Sequence, residues 1–204
     1  MATNVTVSVV DDDPGARTSM KWLLESYGLS VETYSSGPEF LDAYDPSRPG
    51  CLLLDLQMPK MDGLELQERL LARGVHSPVI FISGHGNVRN CVKAMIAGAV
   101  DFLEKPADDE KVLNVVHRSL EKDRQRRCFE ASHTEITTRL NRLTPREREV
   151  MCLLYEGEAM KNIARRFDIS IQTVAKHRTK VLEKLQVRNE AGLARLLDTY
   201  GFSE

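Results

Sequence analysis

The chain contains no run of 18 consecutive apolar residues, so no membrane-spanning helix is expected. The N-terminus lacks a secretory signal pattern, a basic start followed by an apolar run. Cysteine is scarce: Cys51, Cys91, Cys128 and Cys152 are the four present, and no two stand at CxxC spacing. Without that spacing neither a zinc site nor a dithiol redox motif is indicated. Cys51 opens an apolar run and Cys152 sits within one, as reduced core thiols do, which fits a reducing cytoplasm. Neither Gly nor Pro interrupts Glu121 to Arg142, so that stretch is not expected to be a floppy tether. No internal repeat is visible. A soluble, cytoplasmic chain with no membrane partner is the expectation.

Net charge is also small overall, at a formal −2, but charge is unevenly placed. Residues 139–204 hold 13 Lys and Arg against 9 Asp and Glu, a balance of +4, which leaves −6 on residues 1–138. At 204 residues, two small modules fit the length, and an acidic front with a basic back suggests different partners for each.

Residues 1–106 alternate short apolar runs with helical patterns. The runs are Val5–Val10, Ser30–Tyr34, Cys51–Asp55, Val79–Ser83 and Val100–Leu103. Helical stretches over Pro14–Ser26, Pro38–Ala43, Gly63–Arg73 and Val88–Gly98 separate them. Such alternation predicts an α/β fold with a parallel sheet covered on both faces, in the flavodoxin-like (βα)5 arrangement with strand order 2-1-3-4-5. A helix starting near Asp108 carries Val112, Val115, Val116 and Leu120 at helical spacing, and the polar stretch after it reads as a helical connection. The predicted division is 1–122, then a connection over 123–142, then a small all-α domain of four helices over 143–204.

In a doubly wound sheet the ligand crevice lies at the carboxyl ends of the strands. Here the first strand ends in Asp11 and Asp12, the third in Asp55 and the fourth in Ser83, and the fifth is followed by Lys105-Pro106. Three carboxylates crowded together call for a cation, and a hard divalent ion such as Mg²⁺ takes oxygen ligands. A carboxylate can act as a nucleophile toward phosphorus to give an acyl phosphate, with the lysine supplying positive charge and the serine a hydrogen bond. Asp13, followed by Pro14, reads as a helix cap.

These residues resemble the receiver domain of two-component response regulators across roughly residues 4–122. The resemblance is carried by Val9-Val10-Asp11-Asp12-Asp13, Leu54-Asp55-Leu56-Gln57-Met58-Pro59 with Met61-Asp62-Gly63, Ile82-Ser83-Gly84-His85-Gly86, and Asp101-Phe102-Leu103-Glu104-Lys105-Pro106. It implies that Asp55 accepts a phosphoryl group from a sensor histidine kinase. Mg²⁺ would be held by Asp12 directly, by Asp11 through water or directly, by Asp55, and by the backbone carbonyl of Gln57. Ser83 would be the switch hydroxyl, Phe102 the switch aromatic and Lys105 the partner of the phosphoryl oxygens, with Lys105-Pro106 in cis. Ser83 moving toward the phosphoryl group would let Phe102 turn inward and repack one face of the domain. Gln57 and His85, each two residues beyond a site residue, are expected to border the path of the hydrolysing water.

The rear segment opens with a helix start: Thr144 as N-cap, Pro145 at the first position and Glu147 placed for a capping box. Ser170 caps a later helix whose buried stripe is Val174, Val181 and Leu185, which leaves Gln172, Ala175, Lys176, Thr179 and Lys180 on the far side. Residues 143–200 resemble the LuxR-type helix-turn-helix of the NarL/FixJ group. The matching residues include Leu143-Thr144-Pro145-Arg146-Glu147, Lys161, Ile163-Ala164, Ile169-Ser170, Thr173-Val174, His177-Arg178 and Lys184-Leu185, with Met160 standing where the group has Asn. The resemblance implies that Ala175, Lys176 and Thr179 face bases, and that Lys161, Thr173, Arg178 and Lys180 reach phosphates of double-stranded promoter DNA. His177 is read as a packed core histidine.

The implied function is a phosphorylation-controlled transcription factor that engages RNA polymerase, not an enzyme acting on a metabolite. Phosphorylation would act by forming a homodimer or by freeing the DNA-binding end. Two rival classes compete with this reading. Aspartyl phosphatases carry a second Asp two residues after the nucleophile, where this chain has Gln57. A scaffold would instead pair a docking receiver with a bundle that binds RNA or protein.

Overall fold

The computed structural model describes residues 5–84 and 88–200. The chain separates into two compact units, residues 1–127 and 128–204.

The first unit holds β1 (Thr6–Val10), α1 (Pro14–Ser26), β2 (Ser30–Tyr34), α2 (Gly37–Ala43), β3 (Gly50–Asp55), α3 (Gly63–Ala72), β4 (Val79–Ser83), α4 (Val88–Ile96) and β5 (Asp101–Glu104). The start of α5 (Asp109–Asn141) completes it. The five strands form one sheet in the order β2-β1-β3-β4-β5, and all pairs are parallel. Every residue of β3 and β4 is buried, which explains why these strands read as continuous apolar runs rather than alternating ones. Successive side chains of β3 point to opposite faces. Leu52 and Leu54 join Phe40 of α2, Leu66 and Leu70 of α3 and Ala94 of α4 in one core. Leu53 joins Leu24 of α1 and Val112 and Val116 of α5 in the other. Each of these buried Leu, Val and Phe side chains contributes roughly 1.5–3 kcal/mol by leaving water.

Helix starts follow local chemistry. Asp13 caps α1 by accepting the Gly15 N–H, with Pro14 at the first position, and Asp62 caps α3 by accepting the Glu65 N–H. Three observed strands differ slightly from expectation: β1 begins one residue later, at Thr6, β3 begins one residue earlier, at Gly50, and β5 is shifted one residue later, to Asp101–Glu104. Gly50 runs so close to β1 that a Cβ there would sit 2.0 Å from the Thr6 carbonyl oxygen. Its N–H is taken by the carboxylate of Asp123 at 3.0 Å, and Asp123 is buried and also bound by Arg126 and Arg127.

The second unit packs residues from 128 of α5 with α6 (Pro145–Tyr155), α7 (Met160–Phe167), α8 (Ile171–Leu185) and α9 (Glu190–Thr199). Its core draws Val150, Met151 and Leu154 from α6, Ile163 from α7, Val174, Val181 and Leu185 from α8, and Leu193 and Leu197 from α9. Between α7 and α8 the backbone reverses through Asp168, which adopts a left-handed conformation at φ 53°. Ser170 then caps α8 by accepting the Thr173 N–H. The Thr144–Glu147 capping box expected at the start of α6 is present in full.

Candidate functional site

The carboxyl ends of β1, β3 and β4 and the residue after β5 bring Asp11, Asp55, Ser83 and Lys105 to one end of the sheet. The Lys105 ammonium donates to Asp11 Oδ2 and to Asp55 Oδ1, both at 2.6 Å. Both carboxylate side chains are nearly inaccessible, at 5% and 8%, and the lysine side chain is 28% exposed. The remaining oxygens are held by backbone: Asp11 Oδ1 accepts the Asp13 N–H at 2.9 Å, and Asp55 Oδ2 accepts the Gln57 N–H at 2.7 Å. Ser83 is buried, and its carbonyl accepts the Lys105 N–H at 2.9 Å, which seats the lysine beside the end of β4. The Lys105-Pro106 bond is cis. Asp12 is exposed beside its buried neighbour Asp11. Gly63 lies against the end of β3, where a Cβ would come within 2.4 Å of the Asp55 carbonyl oxygen.

One ammonium serves two carboxylates here. Burial pushes the Asp55 carboxyl above its usual range against the pull of Lys105, and the nearby Asp11 charge pushes it further. Burial alone would lower the Lys105 ammonium, but its hydrogen bonds to Asp11 and Asp55 outweigh that and raise it. The site therefore carries a surplus negative charge next to solvent.

Among the described residues no three His, Cys, Asp or Glu side chains form a ready-made metal cluster. Mg²⁺ does not need one, because it keeps several waters and is held by one or two carboxylates. The donors present are hard oxygens in excess of the available positive charge, and they fit such an ion. Phe102 is half-buried and stacks on Phe81 with ring centroids 6.1 Å apart. His85 lies outside the described residues.

On the second unit, Gln172, Lys176, Thr179 and Lys180 are exposed along α8, and Lys161 is exposed on α7. Ala175 is half-buried, and the Thr179 hydroxyl donates to its carbonyl at 3.0 Å. Thr173 is half-buried, and its hydroxyl pairs with the Ser170 hydroxyl at 2.8 Å. His177 is half-buried, with Nδ1 buried and without a hydrogen-bond partner. Arg178 stands apart from the exposed row. It lies four residues after Val174 and four before Leu182, both buried, and its Nε donates to Glu190 at 2.7 Å.

Residues 7–117 match the response regulator receiver domain family, and residues 141–197 match the luxR family of bacterial regulatory proteins. The transcriptional regulatory protein FixJ of Azorhizobium caulinodans is 41% identical over 96% of this chain and 93% of its own length. Nodulation protein W of Bradyrhizobium diazoefficiens is 37% identical over 99% of this chain and 89% of its own. The response regulator StyR superposes over 97% of this chain and 100% of its own at a TM-score of 0.91 and 38% identity. Full-length FixJ from B. japonicum covers both chains fully at 0.61 and 36%.

This chain is a response regulator. It joins a receiver domain to a LuxR-type DNA-binding domain, and it belongs to the transcriptional regulators rather than to enzymes acting on metabolites. No described helix is long and apolar enough to cross a membrane.

In this response regulator the partners that lie far apart in the chain carry no pattern in the sequence. Asp123 with Gly50, Glu147 with Lys184 and Arg178 with Glu190 have no local signature. Arg178 alone left a signal: helical spacing from Val174 puts it on the inner stripe.

Proposed function

We propose that Asp55 is phosphorylated by a sensor histidine kinase, and that this switches the receiver to control promoter binding by α8. The observation that carries the reading is the Lys105 ammonium placed 2.6 Å from both Asp11 and Asp55. Asp11, Asp12, Asp55 and the Gln57 carbonyl would hold Mg²⁺, which when bound would neutralise charge on the transferring phosphoryl group. In the transfer, the kinase's phosphohistidine N–P bond breaks as a bond forms between phosphorus and an Asp55 carboxylate oxygen. Lys105 then exchanges a carboxylate partner for a phosphoryl oxygen, and the Ser83 hydroxyl donates to another. Phosphorylation adds about −1.5 to −2 of charge, and Ser83 and Phe102 carry that change into packing. Gln57, two residues beyond Asp55, and His85, two beyond Ser83, set how fast water hydrolyses the acyl phosphate.

In this reading residues 1–122 are the receiver, 123–142 a helical connection and 143–204 the DNA-binding domain. Ala175, Lys176 and Thr179 face bases, while Lys161, Thr173, Lys180 and Arg178 serve phosphates. Two copies on a two-fold operator supply the affinity that one small domain lacks, so the phosphorylated form is a homodimer that presents itself to RNA polymerase from the cytoplasm.

The test is incubation of the full chain with acetyl phosphate and Mg²⁺, followed by intact-mass measurement and light scattering. One added phosphoryl group, absent in Asp55→Asn and without Mg²⁺, and a shift toward dimer are expected. Equal incorporation in Asp55→Asn would sink the assignment.

A further inference from the structure

The basic residues of α8 are not equivalent. Among the described residues, Lys176 and Lys180 have no carboxylate in ion-pair reach, whereas Arg178 is held by Glu190, Nε to Oε1, at 2.7 Å. The pair bridges α8 to the first residue of α9, and its side chains are 30% and 49% exposed. Glu190 is not needed to start α9, because Asn189 caps that helix by accepting the Gly192 N–H at 2.8 Å. The carboxylate is comfortable where it stands even without Arg178, since the first turn of a helix favours negative charge.

We propose that Glu190 is an internal competitor for DNA. It occupies the guanidinium that a backbone phosphate would otherwise take, and so lowers affinity without touching the duplex. The inference rests on α8 being the DNA-contacting helix. An ion pair this open to water is weak, so a phosphate can displace it. A phosphate also releases condensed counterions when it is neutralised, which Glu190 does not. Binding through Arg178 is therefore permitted but taxed, and Glu190 sets how firmly the domain holds DNA of any sequence.

The experiment is a double-mutant cycle on the full chain, read by fluorescence anisotropy with a duplex of arbitrary sequence of about 30 base pairs over a low-salt series. Glu190→Gln is expected to tighten binding by about threefold to tenfold while the slope of log K against log salt stays close to wild type, because the number of phosphates neutralised is unchanged. Arg178→Gln is expected to weaken binding, and Glu190→Gln made in that background should gain nothing. An equal gain in both backgrounds would mean general removal of negative charge and would overturn the proposal. So would weaker binding by Glu190→Gln alone, the result expected if the pair is a strut that angles α8 against α9. A wild-type chain with no salt-dependent affinity for duplex DNA would overturn the DNA reading, and this inference with it.

Discussion

Each unit seats a lysine on a nearly buried carboxylate, and the two lysines serve different numbers of carboxylates. In the receiver, Lys105 lies 2.6 Å from two carboxylates, Asp11 and Asp55. In the second unit, Lys184 lies 2.5 Å from one, Glu147, and its other acceptor is the neutral Arg142 carbonyl at 3.0 Å. The lysines are similarly exposed, at 28% and 32%, and Glu147 is as hidden as the aspartates, at 4%. Burial acts on both carboxyls in the same upward direction. For Glu147, the Lys184 hydrogen bond and the Thr144 backbone and hydroxyl outweigh burial and hold the group below its usual range. For Asp55, burial is the largest influence and outweighs the Lys105 hydrogen bond and charge, and the Asp11 charge adds to the rise. A lysine on a carboxylate is thus a settled fastening when charges match and a poised site when one negative charge is left over. The surplus attracts a cation or an electrophile, and the matched pair attracts neither.

Truncating the two carboxylates should separate these roles most sharply. Glu147→Ala leaves a part-buried ammonium with only the neutral Arg142 carbonyl and the Thr144 N–H without its carboxylate, and we expect a loss of about 3 kcal/mol in urea unfolding of the second unit. Asp55→Ala removes one of two like charges, and the stability of the first unit should stay within about 1 kcal/mol of wild type or rise. Equal losses at both sites would erase the distinction. Magnesium sharpens it. At ten times its dissociation constant the ion should stabilise the first unit by about 1.4 kcal/mol, leave the second unchanged, and lose its effect in Asp12→Ala. Matching stabilisation of both units would show that the ion acts nonspecifically.

The pH dependences should have opposite signs. A carboxyl lowered by folding contributes stability that is fully present above its unfolded value, about 4.3 for Glu, and is lost as pH falls through the folded value. The Glu147 contribution should therefore disappear on acidification. Asp55 is raised, so the folded state binds its proton more readily, and its contribution grows more favourable as pH falls from neutral through its folded value. Wild type minus Glu147→Gln and wild type minus Asp55→Asn, each followed by denaturation across pH, should slope in opposite directions. Parallel slopes would contradict the shifts.

Much of this architecture was legible because its determinants are local. Strands buried on both faces show as apolar runs, polar residues at their carboxyl ends mark the crevice, and Asp13, Thr144 and Ser170 announce their helices. Register put Asp11, Asp55 and Lys105 together, as strand order alone implies. Which of two adjacent aspartates is buried was not legible: Asp11 is bound to Lys105 and Asp12 is exposed. Fastenings across 73 residues, Asp123 to Gly50, or 37 residues, Glu147 to Lys184, also left no pattern, since only folding makes them neighbours.

The smallest effect concerns the two halves of the capping box that starts α6. Glu147 is buried, and its carboxylate accepts the Thr144 N–H at 2.8 Å, whereas Thr144 is exposed and its hydroxyl accepts the Glu147 N–H at a long 3.3 Å. Water can replace the second bond but not the first. We expect Thr144→Ala to cost about 0.5–1 kcal/mol, the low end for a cap, and Thr144→Ser to cost almost nothing. The two residues share one network, so the loss from Thr144→Ala should shrink in a Glu147→Gln background when both are measured by urea unfolding. A Thr144→Ala loss as large as that of Glu147→Ala would mean that the helix start, and not the charge match with Lys184, is what Glu147 secures.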